Sequence, residues 1–283
     1  MILVTGATGT VGGALVDQLL RGKDSFRVMV RDPAKAAHLR GKTEIVQGDL
    51  DKPESLDAAV RGADHVFLLT NDQDTASDTN LIRAAKAAGV RHVVKLSTNF
   101  VDNDPPTPIG RWHGEKERLL RESGLGWTML RPGGFMSNCL RWAQGIKAQG
   151  SVSIATGESR TAPIDPADIA AVARLALTRP GHEGKTYELT GVDVLSGREQ
   201  VETLAKALGR PIQVVDVSVE QAVEGMRRGG RMPPKLLEAQ GEMLEAIRSG
   251  RLARKTTDTV RELTGSAAGS FAAWCERHKG AFL

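Results

Sequence analysis

The chain has 283 residues, of which 40% are hydrophobic and 25% charged, and its net charge is +4. That length and balance suit one large globular domain, or one with a smaller annex, and exclude a disordered or fibrous chain. The densest charged region, Arg210 to Asp258, mixes nine Lys/Arg with seven Asp/Glu, which reads as a solvated surface rather than a nucleic-acid patch. No apolar run reaches the ~20 residues that span a bilayer, and the N-terminus reads as a strand rather than a secretory leader. Cys139 and Cys275 have neither metal-ligand spacing nor a CxxC partner and read as buried thiols of a reducing compartment. The expectation is a cytoplasmic protein with no nucleic-acid, membrane or metal partner.

In chain order, the first half alternates strand and helix. Apolar, β-branched runs predict strands at Ile2–Thr5, Phe26–Val30, Glu44–Gln47, His65–Leu69, His92–Leu96 and Trp127–Leu130. Helical period lies between them at Val11–Leu20, Ala34–Leu39, Ser55–Val60, Thr75–Ala88 and Arg111–Glu122, with Gly89 and Gly124 where helices should end. The strands are continuous rather than alternating, so both faces of a parallel, doubly wound α/β sheet are buried. After Pro132 the rhythm changes. Strands at Ser151–Ile154, Thr186–Thr190 and Gln213–Val217 mix with helices at Pro166–Leu177 and Gly197–Leu208. The expected division is a dinucleotide-binding portion over 1–150 and a smaller α+β portion over 151–283. The second is partly interleaved with the sheet and covers the substrate side. Within it, Val219, Ala222, Val223 and Met226 form one apolar stripe, and Leu236, Leu237, Met243, Leu244 and Ile247 form another. Gly229-Gly230 and Pro233-Pro234 separate them. The pair reads as a helical hairpin, either core packing or a lid with a glycine hinge.

The chemistry begins at MILVTGATGTVGG. Gly6, Gly9 and Gly12 follow a strand at three-residue spacing and open a helix. Gly6 allows the turn, Gly9 lets the backbone approach a pyrophosphate, and Gly12 lets helix and strand pack closely, so this is a Rossmann-type dinucleotide site. Thr5, Thr8, Thr10 and Val11 share the turn and are assigned to the cofactor with it. The second strand ends at Arg31, followed by Asp32-Pro33-Ala34-Lys35. A guanidinium there, with Lys35 nearby, suits the 2′-phosphate of NADPH, whereas NAD would call for an acid; Asp32, before a proline, reads as the start of a turn. Asp49, followed by Leu50, either reaches the adenine or caps the turn near Pro53. Leu69, Thr70 and Asn71 end the fourth strand beside the cofactor. Ser97 ends the fifth and either contacts the substrate or nicotinamide or caps a turn.

GATGTVGG, Arg31-Asp32-Pro33, GDL, HVVKLS, the block RWHGEKERLLRESGLGWTMLRPGGFMSN and the late TVRELTG together resemble the NmrA-like branch of atypical short-chain dehydrogenase/reductases. The resemblance spans nearly the whole chain. It implies NADPH-dependent quinone, dye or isoflavone-type reductases, aromatic-polyketide ketoreductases, or NADP-binding redox sensors that do no chemistry. The main branch uses a Tyr-x-x-x-Lys acid pair. Here the single tyrosine, Tyr187, is followed four residues later by Gly191. In its place stand His113, Lys116 and Glu117, which share a helix face. His113 falls where isoflavone-reductase-like relatives carry a functional lysine. An ordinary imidazole exchanges protons near neutrality, and Glu117 would orient it or raise its pKa; the bland alternative is a structural pair. After the sixth strand, Pro132 and Gly133 could present backbone to the nicotinamide carboxamide, with Phe135 against the cofactor or substrate. Met136, Asn138 and Trp112 complete the expected substrate pocket, with Trp142 a further wall candidate and core packing the alternative for these aromatic and apolar residues. The reading is an NADPH-dependent reductase of a small aromatic carbonyl compound, a ketone or quinone, with His113, Ser97 and Glu117 as catalytic candidates. The rivals are a non-catalytic NADP(H) sensor acting through a protein partner and a flavin or dye reductase.

Overall fold

The computed structural model describes residues 1–70, 72–230, 232–252 and 256–283. The first half runs β1 (Ile2–Val4), α1 (Thr10–Gly22), β2 (Phe26–Val30), β3 (Glu44–Gln47), α2 (Leu56–Val60), β4 (His65–Leu68), α3 (Ala76–Ala87), β5 (His92–Leu96), α4 (Pro108–Glu122) and β6 (Gly126–Pro132). The second half runs α5 (Ala143–Gln149), β7 (Ser151–Ile154), β8 (Arg160–Thr161), α6 (Pro166–Thr178), β9 (Lys185–Leu189), β10 (Leu195–Ser196), α7 (Gly197–Leu208), β11 (Gln213–Asp216), α8 (Val219–Arg228), α9 (Pro234–Arg248), α10 (Thr259–Thr264) and α11 (Phe271–His278).

Seven strands form one parallel sheet in the order β3-β2-β1-β4-β5-β6-β9. The order reverses between β1 and β4, and an open sheet binds its ligand in the crevice at such a switch point. One face is covered by α1 and α6, through Val11, Leu15, Leu19, Ile169, Ala173 and Leu177. The other is covered by α2, α3 and α4, through Leu56, Val60, Leu81, Ala85 and Leu120. This double cover is why β1 and β5 are buried at every residue.

The strand expected at Thr186–Thr190 is β9, and it completes this sheet beside β6. Residues 166–189 thus return to the sheet after the chain has left it. Pro33 and Pro53 shape two differences from expectation. Pro33–Leu39 and Pro53–Ser55 are 3-10 turns, and only Leu56–Val60 of the second stretch is α-helical. The remaining strands form two small sheets, β10 with β8 and β11 with β7. Around them lies a separate core that includes Met136, Cys139, Val152, Leu204, Phe271, Trp274 and Cys275. Both thiols are free and buried, and burial pushes that of Cys275 up to about 12. Among the described residues, no helix is long and apolar enough to cross a membrane.

Candidate active site

The glycine turn sits at the switch point. Gly6 adopts φ +64°, which side chains rarely do. A Cβ on Gly12 would lie 2.1 Å from the Gly6 carbonyl oxygen, so only glycine lets α1 start this close to the turn. Gly9 is the N-cap of α1, with no side-chain cap bond and no acid in the first helical turn. The leading N–H groups of α1 are therefore available to an anion, and no carboxylate competes for the positive end of the helix. Thr5 joins the two central strands: its hydroxyl donates to the Phe67 carbonyl at 3.0 Å and accepts from the Leu69 N–H at 2.9 Å.

A cavity of about 400 Å³ opens from this turn across the ends of β1, β2, β3 and β4. Thr5, Gly6, Thr8, Gly9, Arg31, Lys35, Asp49, Leu50, Leu69 and Thr70 all line it. Arg31 and Lys35 are exposed, and neither forms an ion pair among the described residues. Asp32 accepts from the Ala34 N–H at 2.9 Å and caps the following 3-10 turn, so its carboxylate is engaged at that corner. Asp49 bonds the Asp51 N–H at 3.2 Å and does not cap the turn at Pro53. These features suit an adenosine phosphate: an open helix end for the pyrophosphate and two free cations at the ribose corner.

Beyond β4 the strand ends carry two buried charge clusters. In the first, Lys95 and Asp78, both fully buried, pair at 2.5 Å, and Lys116 lies 3.7 Å from the other Asp78 oxygen. Thr70 donates to Asp78 at 2.7 Å, and Lys116 donates to the Asp72 carbonyl at 2.7 Å. Burial works to raise the Asp78 pKa, but the two ammoniums and Thr70 hold it below the usual range. In the second cluster, Arg131 donates to both oxygens of the fully buried Glu117, and Arg121 reaches the same carboxylate at 3.0 Å. Ser97 donates to Glu117 at 2.5 Å, and Arg131 also reaches Asp102 at 2.5 Å.

A second, larger cavity of about 870 Å³ continues along the ends of β6 and β9. Phe100, Phe135 and Trp142 wall one part, and Met226 of α8 with Leu244 and Ile247 of α9 closes another. Met243 and Ala246 of α9 pack with Phe100 and Ile109, which seats the hairpin against the sheet end.

Residues 6–180 match the protein family described as NAD(P)H-binding. The chain belongs to this NAD(P)H-binding family. Within it, the chain is of the NmrA-like, atypical short-chain reductase kind and is an NAD(P)H-dependent oxidoreductase. It is 41% identical to the NAD(P)H azoreductase of Xenophilus azovorans, over 100% of this chain and 99% of that protein. It is also 41% identical to the (4-alkanoyl-5-oxo-2,5-dihydrofuran-3-yl)methyl phosphate reductase of Streptomyces griseus, with the same coverage. The NADPH complex of the Escherichia coli NADPH-dependent quinone oxidoreductase has a TM-score of 0.86 at 27% identity, covering 98% of this chain and 99% of that one.

Several expected residues of this NAD(P)H-binding protein sit elsewhere than the sequence suggested. The side chains of Thr10 and Val11 do not line the nucleotide cavity, that of Val11 being core, and what these two residues offer an anion is their backbone N–H at the start of α1. Asn71 lies outside the described residues. The Gly133 N–H is bonded to the Leu189 carbonyl at 3.0 Å, and Pro132 has none, so the backbone these two could present to a carboxamide is carbonyl oxygen rather than N–H. Phe135 lines the large cavity rather than the nucleotide one, Asn138 lines the large cavity in keeping with a place in the substrate pocket, and Met136, 1% exposed, belongs to the core. Trp112 lines neither cavity; Lys235 lies 5.8 Å over its ring.

The catalytic candidates change most. Glu117 does not orient His113, because Arg131, Arg121 and Ser97 take its oxygens. Ser97 has committed its proton to Glu117, so it can only accept a further hydrogen bond. The His113 pKa is lowered to about 3, by burial first and then by Lys95 and Lys116, so the ring is neutral at pH 7. Its Nδ1 is buried and has no partner among the described residues. Tyr187, in β9, pairs with Nδ1 of His182, which precedes that strand, at 2.8 Å. Sequence reasoning missed the pairing of Lys95 with Asp78. The available signal was a lysine inside the otherwise apolar run of β5, because a charge in a doubly covered strand needs a partner.

Proposed function

We propose that this protein is an NADPH-dependent reductase of flat, conjugated acceptors such as quinones, azo compounds or aromatic ketones. The carrying observation is the arrangement of the cavities on one row of strand ends. The nucleotide cavity covers β1 to β4, the large apolar-walled cavity covers β6 and β9, and the end of β5, with Ser97, lies between. A dinucleotide laid along that row has its adenosine at Arg31 and its other end beside Ser97. Bound there, a reduced nicotinamide supplies a hydride.

Arg31 and Lys35 select the 2′-phosphate, and the uncapped start of α1 holds the pyrophosphate. Ser97, as an acceptor, suits the amide N–H of the carboxamide, and the Arg131–Glu117 pair fixes its rotamer. His113, being neutral, acts as a hydrogen-bond donor to negative charge developing on the acceptor, and water delivers the proton. Phe100, Phe135 and Trp142 supply aromatic walls for a planar molecule and reduce water at the reacting end. The 41% identity to an azoreductase and to a furanone-phosphate reductase supports reduction of conjugated acceptors.

The test mixes the protein with NADPH or NADH and a panel of quinones, azo dyes, aromatic ketones and flavins, following cofactor absorbance. Turnover is expected on conjugated acceptors, with NADPH preferred. Tight NADPH binding without turnover on the whole panel would overturn this reading in favour of a sensor.

A further inference from the structure

Among the described residues, the lining of the large cavity has one ionisable side chain, Arg141, and no aspartate, glutamate or lysine. The Arg141 Nε donates to the Asn138 carbonyl at 2.9 Å, and this is its one hydrogen bond among the described residues. No ion pair among them includes it, whereas Arg131, Arg160, Arg174, Arg198 and Arg277 each hold a carboxylate. Arg141 follows the residues Met136 and Cys139, which are 1% and 2% exposed in the core, so its backbone stands on a fixed platform. Solvent in the cavity reaches the side chain, yet enough protein surrounds the guanidinium that burial draws its pKa below the usual value. The guanidinium thus faces the cavity solvent with no counter-charge among the described residues.

We propose that the large cavity is built for an acceptor that carries an anionic group (carboxylate, sulfonate or phosphate ester), which the free fork of Arg141 holds. The proposal rests on the reductase reading above and specifies its substrate class. The bond from Nε to Asn138 orients the guanidinium plane and leaves the two terminal nitrogens for a bidentate contact with paired oxygens. The acid-free lining adds no repulsion, and the neighbouring Trp142 gives the aromatic part of the same molecule a wall. Anion and ring would thus be read together, fixing which atom of the acceptor reaches the strand ends.

The test uses matched acceptors, a neutral phenylazo-naphthol and its sulfonated counterpart, with NADPH saturating. The sulfonated dye should show a KM lower by about tenfold, and rising salt should narrow the gap. In Arg141→Gln the ratio of the two KM values should approach one, and Arg141→Lys should restore part of it. Turnover of both dyes with equal KM, or a ratio that survives Arg141→Gln, would overturn the anion site and leave the reductase reading standing. If neither dye is reduced, the wider panel of quinones, ketones and flavins decides the reductase reading, and calorimetric titration of the same two dyes into the NADP⁺-loaded protein decides the anion site. Tighter binding of the sulfonated dye that is lost in Arg141→Gln supports the site, and equal binding refutes it.

Discussion

Arg131 grips both carboxylate oxygens of Glu117, with Nε on Oε1 at 2.8 Å and Nη2 on Oε2 at 2.6 Å. The buried carboxylate also accepts from the Ser97 hydroxyl, so under the proposed function Glu117 is a positioning residue that acts through Ser97. Glu117→Ala leaves the buried side of the Arg131 guanidinium facing a void with only the more exposed Asp102 as partner, and loss of one partner of a buried pair costs about 3–5 kcal/mol. Urea denaturation should show a drop of that size. Glu117→Gln, which keeps an acceptor for Ser97, should raise the KM for NADPH less than Glu117→Ala does. A loss of stability below about 1 kcal/mol, the scale of an exposed pair, would show that the pair is not structural.

Arg31 follows β2 and has no ion-pair partner among the described residues, while the neighbouring Asp32 is spent on capping. Arg31→Asp should therefore raise the KM for NADPH by about tenfold to a hundredfold and leave NADH nearly unaffected. Steady-state kinetics with both cofactors measures this, and equal losses would remove Arg31 from the 2′-phosphate site.

His113, with a pKa of about 3, carries no positive charge in the working pH range. The pH profile of kcat between about pH 6 and 8 should show no step assignable to it. His113→Ala should lower kcat by about tenfold to a hundredfold at every pH in that range, through loss of a donor rather than of an acid. An inflection near the ordinary histidine pKa that disappears in His113→Ala would instead identify a titrating proton donor.

His92 gives the stability of the fold a pH dependence. Its Nε2 lies 2.9 Å from the Thr128 hydroxyl, which donates its own proton to the His182 carbonyl, so His92 must be the donor. Burial, opposed by Glu183, lowers its pKa to about 4. The folded state then binds fewer protons than the unfolded state between pH 6.5 and 4, so this stabilising term is complete above about pH 6.5. It is lost as pH falls through 4, by on the order of 3 kcal/mol at most. His92→Gln, which keeps an N–H for Thr128, should flatten the fall of Tm across that window. An unchanged slope would mean that other groups carry the acid sensitivity.

Much of this protein follows from local pattern. The strands of the first half are read from continuous apolar runs, because burial on both sheet faces demands them. The glycine turn and Arg31 are read from spacing, because the chemistry of a pyrophosphate and a 2′-phosphate leaves few alternatives. The roles of His113 and Glu117 were not legible in that way. Shared helical spacing put them on one face, but a carboxylate goes to its strongest partner, and Arg131 arrives from a strand 14 residues further on. The pKa of His113 depends likewise on Lys95 from β5 and Lys116 from its own helix, brought together with Asp78 from α3. Met136 and Asn138 are two residues apart, yet one fills the core and the other faces the cavity. The sequence by itself determined the cofactor scaffold, whose signals are short-range and geometric. Tertiary structure alone decided which charges meet and which stay free, because electrostatic pairing depends on distances that only the packed chain sets.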